Sequence, residues 1–190
     1  MTHKDKILVV GAGLCGSLLA LRLAQRGFEV TVFESRPDMR KVDISAGRSI
    51  NLALSDRGLK ALRLCGMDKK ALDICIPMKG RMMHDTTGNT FESYYSGREG
   101  EVINSISRGD LNSILLNAAD EHEKVTIHFN TRCKRIDFEN KIAHFVDENG
   151  EIFTETAEVI FGTDGAGSVL RKSYYLERKF LFSFSQNYLT

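Results

Sequence analysis

The feature that most constrains this sequence is a glycine-rich turn between a short apolar strand and a helix. Residues 7–10 read Ile-Leu-Val-Val, and Gly11, Gly13 and Gly16 follow in the spacing G-x-G-x-x-G. Gly11 permits the tight turn, Gly13 lets the backbone approach a pyrophosphate, and Gly16 lets the helix pack closely on the strand. The turn therefore predicts a βαβ unit that binds a dinucleotide.

The residues that follow extend this pattern in register. A helical pattern runs through Arg26, Gly27 ends it, and residues 29–33 predict a second strand that stops at Glu34. A carboxylate there accepts hydrogen bonds from ribose hydroxyls and repels a 2′-phosphate, which predicts an adenosine diphosphate of the FAD or NAD kind. An ordinary glycine-rich turn is the alternative, and the strand, helix and acid together favour the dinucleotide site.

Composition excludes several other classes of function. The chain has 190 residues and a net charge of +1, which gives no electrostatic case for binding nucleic acid or an anionic membrane. It contains no apolar run near the roughly 20 residues of a membrane span, and the first residues do not resemble a secretory signal. Its four cysteines and five histidines show no metal-ligand spacing. We expect a cytoplasmic protein with reduced cysteines and no metal site.

The rest of the chain alternates short helices and strands. A helix is predicted from residue 55, capped by Ser55 and ended by Gly66, and Glu101–Ile106 is predicted to be an extended segment that delivers Arg108. The other predicted elements are helices over 69–74 and 110–120, a hairpin of 79–85 with 91–95, a strand over 125–129, and a three-stranded meander of 133–138, 141–147 and 152–157.

A second fingerprint lies further along the chain. A predicted strand over 158–161 runs into the pattern Gly162-x-Asp164-Gly165-x-x-Ser168-x-x-Arg171, which opens a helix. Asp164 at a strand end can hold a ribose or ribityl hydroxyl, and Gly165 admits a close backbone approach. One small nucleotide needs only one such turn, so two of them favour FAD, and they argue against an NAD-dependent dehydrogenase.

These motifs together resemble the single-component FAD-dependent aromatic hydroxylases. Within that family the resemblance is to the kynurenine 3-monooxygenases, and four segments carry it: 33–40, 47–55, 79–82 and 105–112. It covers essentially all of residues 6–173, and the run GRSINLALS at 47–55 is its most specific part.

The resemblance implies a function. It implies hydroxylation of L-kynurenine to 3-hydroxykynurenine with NADPH and dioxygen, through a flavin C4a-hydroperoxide formed on FAD. It implies no catalytic acid–base pair, and the sequence offers none. Another aromatic or quinone-precursor hydroxylase, or a non-catalytic dinucleotide-binding fragment, is the alternative.

The resemblance also assigns site residues. Substrate would be held by Arg81, pairing with the amino acid carboxylate, and by Tyr95; a solvated strand arginine and the adjacent Tyr94 are the competing interpretations. A solvated loop is likewise the alternative for Arg36. The residues predicted to bind cofactor are Gly11, Gly13, Leu14, Gly16, Glu34, Arg36, Ala53, Arg108, Cys133 (through its backbone), Asp164 and Gly165.

The predicted fold is α/β, a Rossmann-like FAD-binding βαβ domain with a three-stranded β-meander. Residues 1–173 form the FAD-binding domain, with 76–106 contributing strands toward the substrate side, and 174–190 begin a β-rich substrate domain that is incomplete. Members of the family are longer and carry a third motif, a Gly-Asp pair, that this sequence lacks. We therefore expect an N-terminal portion of such an enzyme, inactive alone.

Overall fold

The computed structural model describes residues 6–41 and 50–177 of the chain. Twelve strands and five helices occur within them. In chain order they are β1 (Lys6–Val10), α1 (Leu14–Gln25), β2 (Glu29–Phe33), β3 (Asn51–Leu54), α2 (Asp56–Arg63), α3 (Asp68–Asp73), β4 (Ile76–Met78), β5 (Gly80–His84), β6 (Thr90–Tyr94), β7 (Ile103–Ser107), α4 (Arg108–Asp120), β8 (Val125–His128), β9 (Arg132–Asp137), β10 (Ile142–Val146), β11 (Ile152–Thr156), β12 (Val159–Gly162) and α5 (Val169–Glu177).

A four-stranded parallel sheet in the order β12-β1-β2-β8 forms the centre of the fold. Strand β1 pairs on both sides, and its Leu8 and Val9 are fully buried. A continuous apolar run is what a parallel strand covered on both faces requires. The predicted βαβ unit is therefore confirmed, and β1 is an inner strand of the sheet.

Helices cover one face of this sheet and the meander covers the other. Helices α1 and α4 pack against each other and against the sheet, and Ala20 and Leu115 belong to their shared core. On the opposite face, Phe145 of β10 stacks on Phe33 of β2 with ring centroids 4.0 Å apart. The antiparallel order β11-β10-β9 is the predicted meander. The arrangement confirms the predicted α/β fold class.

Two smaller sheets carry the segment between β2 and α4. Strands β3, β7 and β4 form one, and the hairpin of β5 and β6 forms the other. The sequence predicted the hairpin but not β3 or β4. Strand β4 has three residues with Pro77 in the middle, and β3 is an edge strand of mixed small and apolar residues, so neither gives a clear alternating pattern.

Helices α2 and α5 bear on two of the sequence predictions. Helix α2 begins at Asp56 as predicted, but the Ser55 side chain makes no capping hydrogen bond, so the predicted side-chain cap is wrong. Helix α5 continues to Glu177, and the domain boundary predicted after residue 173 falls inside it. Residues 47–49 of the GRSINLALS run and residues 178–190 of the predicted substrate domain lie outside the described residues.

Within the part of the chain that the structure describes, no helix is both long enough and apolar enough to cross a membrane.

Candidate cofactor site

A cleft of about 380 Å³ opens at the carboxyl ends of β1, β2 and β12, and its floor is the glycine turn. Open α/β sheets bind ligands at this edge, because the loops leaving parallel strands diverge there. The lining residues are Val10, Gly11, Gly13, Phe33, Glu34, Ser35, Arg36, Arg108, Thr131, Arg132, Cys133, Thr163, Asp164, Gly165, Gly167 and Val169.

The three glycines of the first fingerprint have different surroundings. A Cβ on Gly16 would lie 1.9 Å from the Gly11 carbonyl oxygen, and one on Gly11 would lie 2.7 Å from the Thr163 carbonyl oxygen. Gly11 also has φ +100°, a conformation that side chains disfavour. Gly13 differs, because it lines the cleft and a Cβ there would meet nothing within 4 Å. Gly11 and Gly16 thus permit the packing, whereas Gly13 leaves room for a ligand.

Glu34 stands at the end of β2 with a carboxylate held by the protein itself. Its Oε2 accepts from the Ala12 backbone N–H at 2.8 Å, and its Oε1 accepts from the backbone N–H and the Nε of Arg36, each at 2.9 Å. Burial acts to raise the pKa of Glu34, but these hydrogen bonds and the Arg36 charge outweigh it, and the pKa is lowered. The carboxylate is therefore ionised at neutral pH and fixed beside the glycine turn.

A buried ion pair holds the segment that carries Arg36. Arg40 Nη2 lies 2.8 Å from Asp38 Oδ2 and 3.0 Å from Asp120 Oδ2, so the loop after β2 is tied to the end of α4. The hydrogen bond from Arg40 lowers the pKa of Asp38 in spite of its burial. The Arg40 guanidinium also lies 5.6 Å from the centre of the Phe129 ring. These contacts connect the segment that follows Arg36 to α4 and to Phe129.

Asp164 gives the clearest sign that the cleft takes a polar ligand. Its Oδ2 accepts from the Val169 backbone N–H at 2.6 Å, but its Oδ1 is buried and has no hydrogen-bond partner. A buried acceptor without a partner is costly, and a ligand hydroxyl would satisfy it. Next to it, Gly165 has φ +77° and open space where a Cβ would lie. The site therefore fits a cofactor with a hydroxyl-bearing chain, as FAD has.

Cys133 and Arg108 complete the predicted residues that line the cleft. Cys133 is buried, and burial together with the nearby Asp164 charge raises the pKa of its thiol to about 11. It is protonated at neutral pH, which agrees with a backbone role. Arg108 is exposed and is the first residue of α4, whose start is capped by the Ser107 hydroxyl accepting from the Asp110 N–H.

Three predicted cofactor residues do not line the cleft. Leu14 is half-buried in the first turn of α1 and packs on the core. Ala53 is exposed on the edge strand β3, paired with Ser105. Gly16 is buried beneath the turn. For these three residues a direct contact with cofactor stays a prediction.

The pairing of the β5–β6 hairpin, continued one residue past the end of β6, places the two predicted substrate residues on one face. Arg81 pairs with Ser93, and the Tyr95 N–H donates to the Lys79 carbonyl at 3.0 Å, so Tyr95 is a diagonal neighbour of Arg81. Tyr94 pairs with Gly80 and points to the opposite face. Both Arg81 and Tyr95 are exposed and lie outside the lining of the cleft. The strand register places Arg81 and Tyr95 side by side. Neither residue lines the cleft in which the predicted cofactor residues meet.

The sequence did not single out several residues that matter to the cleft. The Thr163 hydroxyl donates to the Val10 and Gly11 carbonyls at 2.9 and 2.8 Å, which ties β12 to the glycine turn. Its place between Gly162 and Asp164 in the second fingerprint was the only available signal. Thr131 and Arg132 reach the cleft only because the chain entering β9 passes over the end of β2, a placement without a sequence signature.

This chain is similar to known proteins over nearly all of its length. The family model described as FAD binding domain matches residues 4–181. The kynurenine 3-monooxygenase of Myxococcus xanthus is 44% identical over 188 residues, which is 98% of this chain and 40% of that protein. The kynurenine 3-monooxygenase of Candida albicans is 44% identical over 186 residues, 95% of this chain and 40% of that protein. The chain thus spans about 40% of the length of these relatives.

Solved structures with other sequences share the fold. A tetrameric 2-methyl-3-hydroxypyridine-5-carboxylic acid oxygenase has a TM-score of 0.69 at 23% identity, covering 90% of this chain and 42% of that chain. The flavin-dependent monooxygenase PieE, in complex with FAD and substrate, has a TM-score of 0.73 at 17% identity, covering 90% of this chain and 32% of that one. At these identities the likeness concerns the fold alone.

Proposed function

The chain belongs to the FAD binding domain family, and on that premise we propose that it is the FAD-holding part of an NADPH-dependent monooxygenase that hydroxylates L-kynurenine to 3-hydroxykynurenine. One observation supports FAD as the cofactor: Gly13, Glu34 and Asp164, which belong to two separate fingerprints, line a single cleft. The substrate is proposed from relatives 38–44% identical that bear the name kynurenine 3-monooxygenase.

Each residue of the cleft has a role suited to one part of FAD. The first-turn N–H groups of α1 have no side-chain cap, and they would donate to the pyrophosphate where Gly13 leaves room. Glu34 would accept from the adenosine ribose, and the unpaired Oδ1 of Asp164 would accept from a hydroxyl of the ribityl chain. When bound, FAD would supply the redox chemistry, accepting electrons from NADPH and reacting with dioxygen.

Charge in the cleft suits a diphosphate. Arg36, Arg108 and Arg132 line it together with two acids, Asp164 and Glu34, of which Glu34 is paired with Arg36. The guanidinium groups would offset the two phosphate charges, while the carboxylates select hydroxyl donors over further phosphates. This arrangement favours FAD over a nucleotide with a 2′-phosphate.

Recognition of kynurenine is proposed for the hairpin. Arg81 would pair with the amino acid carboxylate through two parallel hydrogen bonds, and Tyr95, on the same face, would donate to the same group. The chain would thus supply part of a substrate site and all of the adenosine end of the cofactor site.

The proposal is tested by a chimaera in which this chain replaces the matching 40% of the Myxococcus xanthus relative. We expect a yellow protein that releases flavin on denaturation, oxidises NADPH faster when kynurenine is present, and forms 3-hydroxykynurenine. A flavin-loaded chimaera whose NADPH oxidation does not respond to kynurenine would contradict the substrate. A colourless chimaera that binds no flavin would contradict the cofactor site.

A dinucleotide-binding module without chemistry is the second candidate. It is favoured by one observation, that Arg81 and Tyr95 lie outside the lining of the cleft. The isolated chain distinguishes the two: retention of FAD through gel filtration supports the flavoprotein, and binding of ADP without retention of FAD supports the module.

A further inference from the structure

Asn112 is a buried polar residue that does not line the cleft. It lies on α4 with 4% of its surface exposed, and its Nδ2 donates to the Ala12 carbonyl at 3.1 Å, across 100 residues of sequence. Ala12 is the middle residue of the Gly11–Gly13 turn, so a side chain of α4 reaches the centre of the first fingerprint.

Chemistry fixes the orientation of this amide. A carbonyl oxygen only accepts, so the NH2 group of Asn112 must face Ala12. The other end of the amide, Oδ1, is then left buried without a partner. A leucine of similar size would avoid this cost in an apolar environment. The asparagine adds two contacts that a leucine lacks: the hydrogen bond to the Ala12 carbonyl, and one from the same Nδ2 to Met39 Sδ at 2.9 Å.

The bond to Ala12 controls a neighbouring N–H group. The Ala12 carbonyl and the Gly13 N–H belong to one planar trans peptide and therefore point in opposite directions. The Ser17 hydroxyl donates to the same carbonyl at 3.1 Å, and the Ala12 N–H is held by Glu34 at 2.8 Å. Because Ser17 of α1 and Asn112 of α4 both hold the Ala12 carbonyl on their side, the Gly13 N–H points away from these two residues. Gly13 has no side chain to restrict rotation, so this peptide depends on its hydrogen bonds.

We infer that Asn112 is a positioning residue for the pyrophosphate of the cofactor: it holds the Ala12–Gly13 peptide so that the Gly13 N–H faces the phosphate. This inference rests on the proposed cofactor site and adds a residue to it from outside the cleft. Its effect is on phosphate recognition and leaves adenosine recognition, which belongs to Glu34, unchanged.

Binding of ADP and of adenosine to the isolated chain, measured by titration calorimetry, tests this role. The variant Asn112→Leu keeps the number and branching of the side-chain heavy atoms and removes the donor. We expect ADP affinity to fall about tenfold, the effect of one hydrogen bond to a charged group, and adenosine affinity to stay within about twofold. Asn112→Ala serves as a second variant, with the same expected ratio, if the leucine does not fold.

Leu115→Val is the matched control. Leu115 is 1% exposed on the same helix and makes no polar contact with the turn. We expect this variant to melt earlier while keeping the wild-type ratio of ADP to adenosine affinity.

Two results would overturn the inference alone: ADP binding by Asn112→Leu within twofold of wild type, or equal losses for ADP and adenosine. A wild-type chain that binds neither ligand would instead overturn the cofactor site, and this inference with it.

Discussion

The guanidinium of Arg36 lies against the carboxylate of Glu34, with Nε 2.9 Å from Oε1 and Nη2 3.4 Å from Oε2. The side chain of Glu34 is 7% exposed and that of Arg36 is 64% exposed. The acid proposed to accept ribose hydroxyls is thus held ionised by a cation that is itself largely exposed to solvent. Glu34 Oε1 also accepts from the Ser35 hydroxyl at 3.4 Å and Oε2 accepts from the Ala12 N–H, so a ribose hydroxyl would replace one of the donors already at the carboxylate.

Removal of this carboxylate should weaken cofactor binding. In Glu34→Ala we expect FAD to bind more weakly, by about 1.5–3 kcal/mol for each hydrogen bond lost to the charged group. Equilibrium titration of FAD into the apoprotein measures the change. Glu29→Ala is the control, because Glu29 lies at the other end of β2 and pairs with Lys124 on the surface. Equal FAD affinity in wild type and Glu34→Ala would contradict the ribose assignment.

The lowered pKa of Glu34 predicts a defined pH dependence of stability. The unfolded chain binds a proton at this site near pH 4.5, and the folded protein binds it only at lower pH. Glu34 therefore contributes stability fully above pH 4.5, and this contribution is lost as the pH falls toward the folded pKa. Denaturant unfolding of wild type and Glu34→Gln from pH 7 to pH 3 measures the difference between them. The wild-type advantage should shrink below pH 4.5; a difference independent of pH would contradict the prediction.

Alanine substitutions at two glycines of the first fingerprint should affect protein stability and FAD binding separately. Gly16→Ala places a Cβ 1.9 Å from a backbone oxygen and should cost about 3 kcal/mol of unfolding free energy. In Gly13→Ala the new Cβ meets no atom within 4 Å, and the backbone φ at this position is −75°. The free energy of unfolding should therefore stay within about 0.5 kcal/mol of wild type, while FAD binding is lost. Thermal unfolding and flavin retention measure the two effects. A Gly13→Ala variant that retains flavin would show that the pyrophosphate lies elsewhere.

The hairpin register predicts which tyrosine acts with Arg81. In the chimaera, Arg81→Ala and Tyr95→Phe should raise the kynurenine concentration needed for half-maximal NADPH oxidation, by about tenfold or more for the arginine. Tyr94→Phe is the control, because Tyr94 points to the other face and its hydroxyl bonds to Glu92. Flavin content should be unchanged in all three. A larger effect at Tyr94 than at Tyr95 would contradict the assignment.

The first fingerprint was predictable because its requirements are local. The strand, Gly11, Gly13, Gly16 and the acid at the end of β2 lie within one short stretch, and their spacing alone predicts a glycine turn between the strand and the helix. Asp164 was predictable for the same reason, because it lies between a strand and a glycine turn. These residues do meet in one cleft, as a parallel sheet requires of loops leaving the same edge.

Contacts between distant segments were decided only by the tertiary structure. Asn112 reaches Ala12 because α4 packs against α1, and Tyr95 joins Arg81 because the hairpin pairs Arg81 with Ser93. A shift of one residue in that pairing would exchange Tyr95 for Tyr94, and the sequence pattern is equally compatible with both. The sequence by itself determined the dinucleotide turn and the fold class, since both follow from spacing along the chain. The packing of helices and the register of strands determined which remote side chains support that turn, since both depend on which surfaces meet in three dimensions.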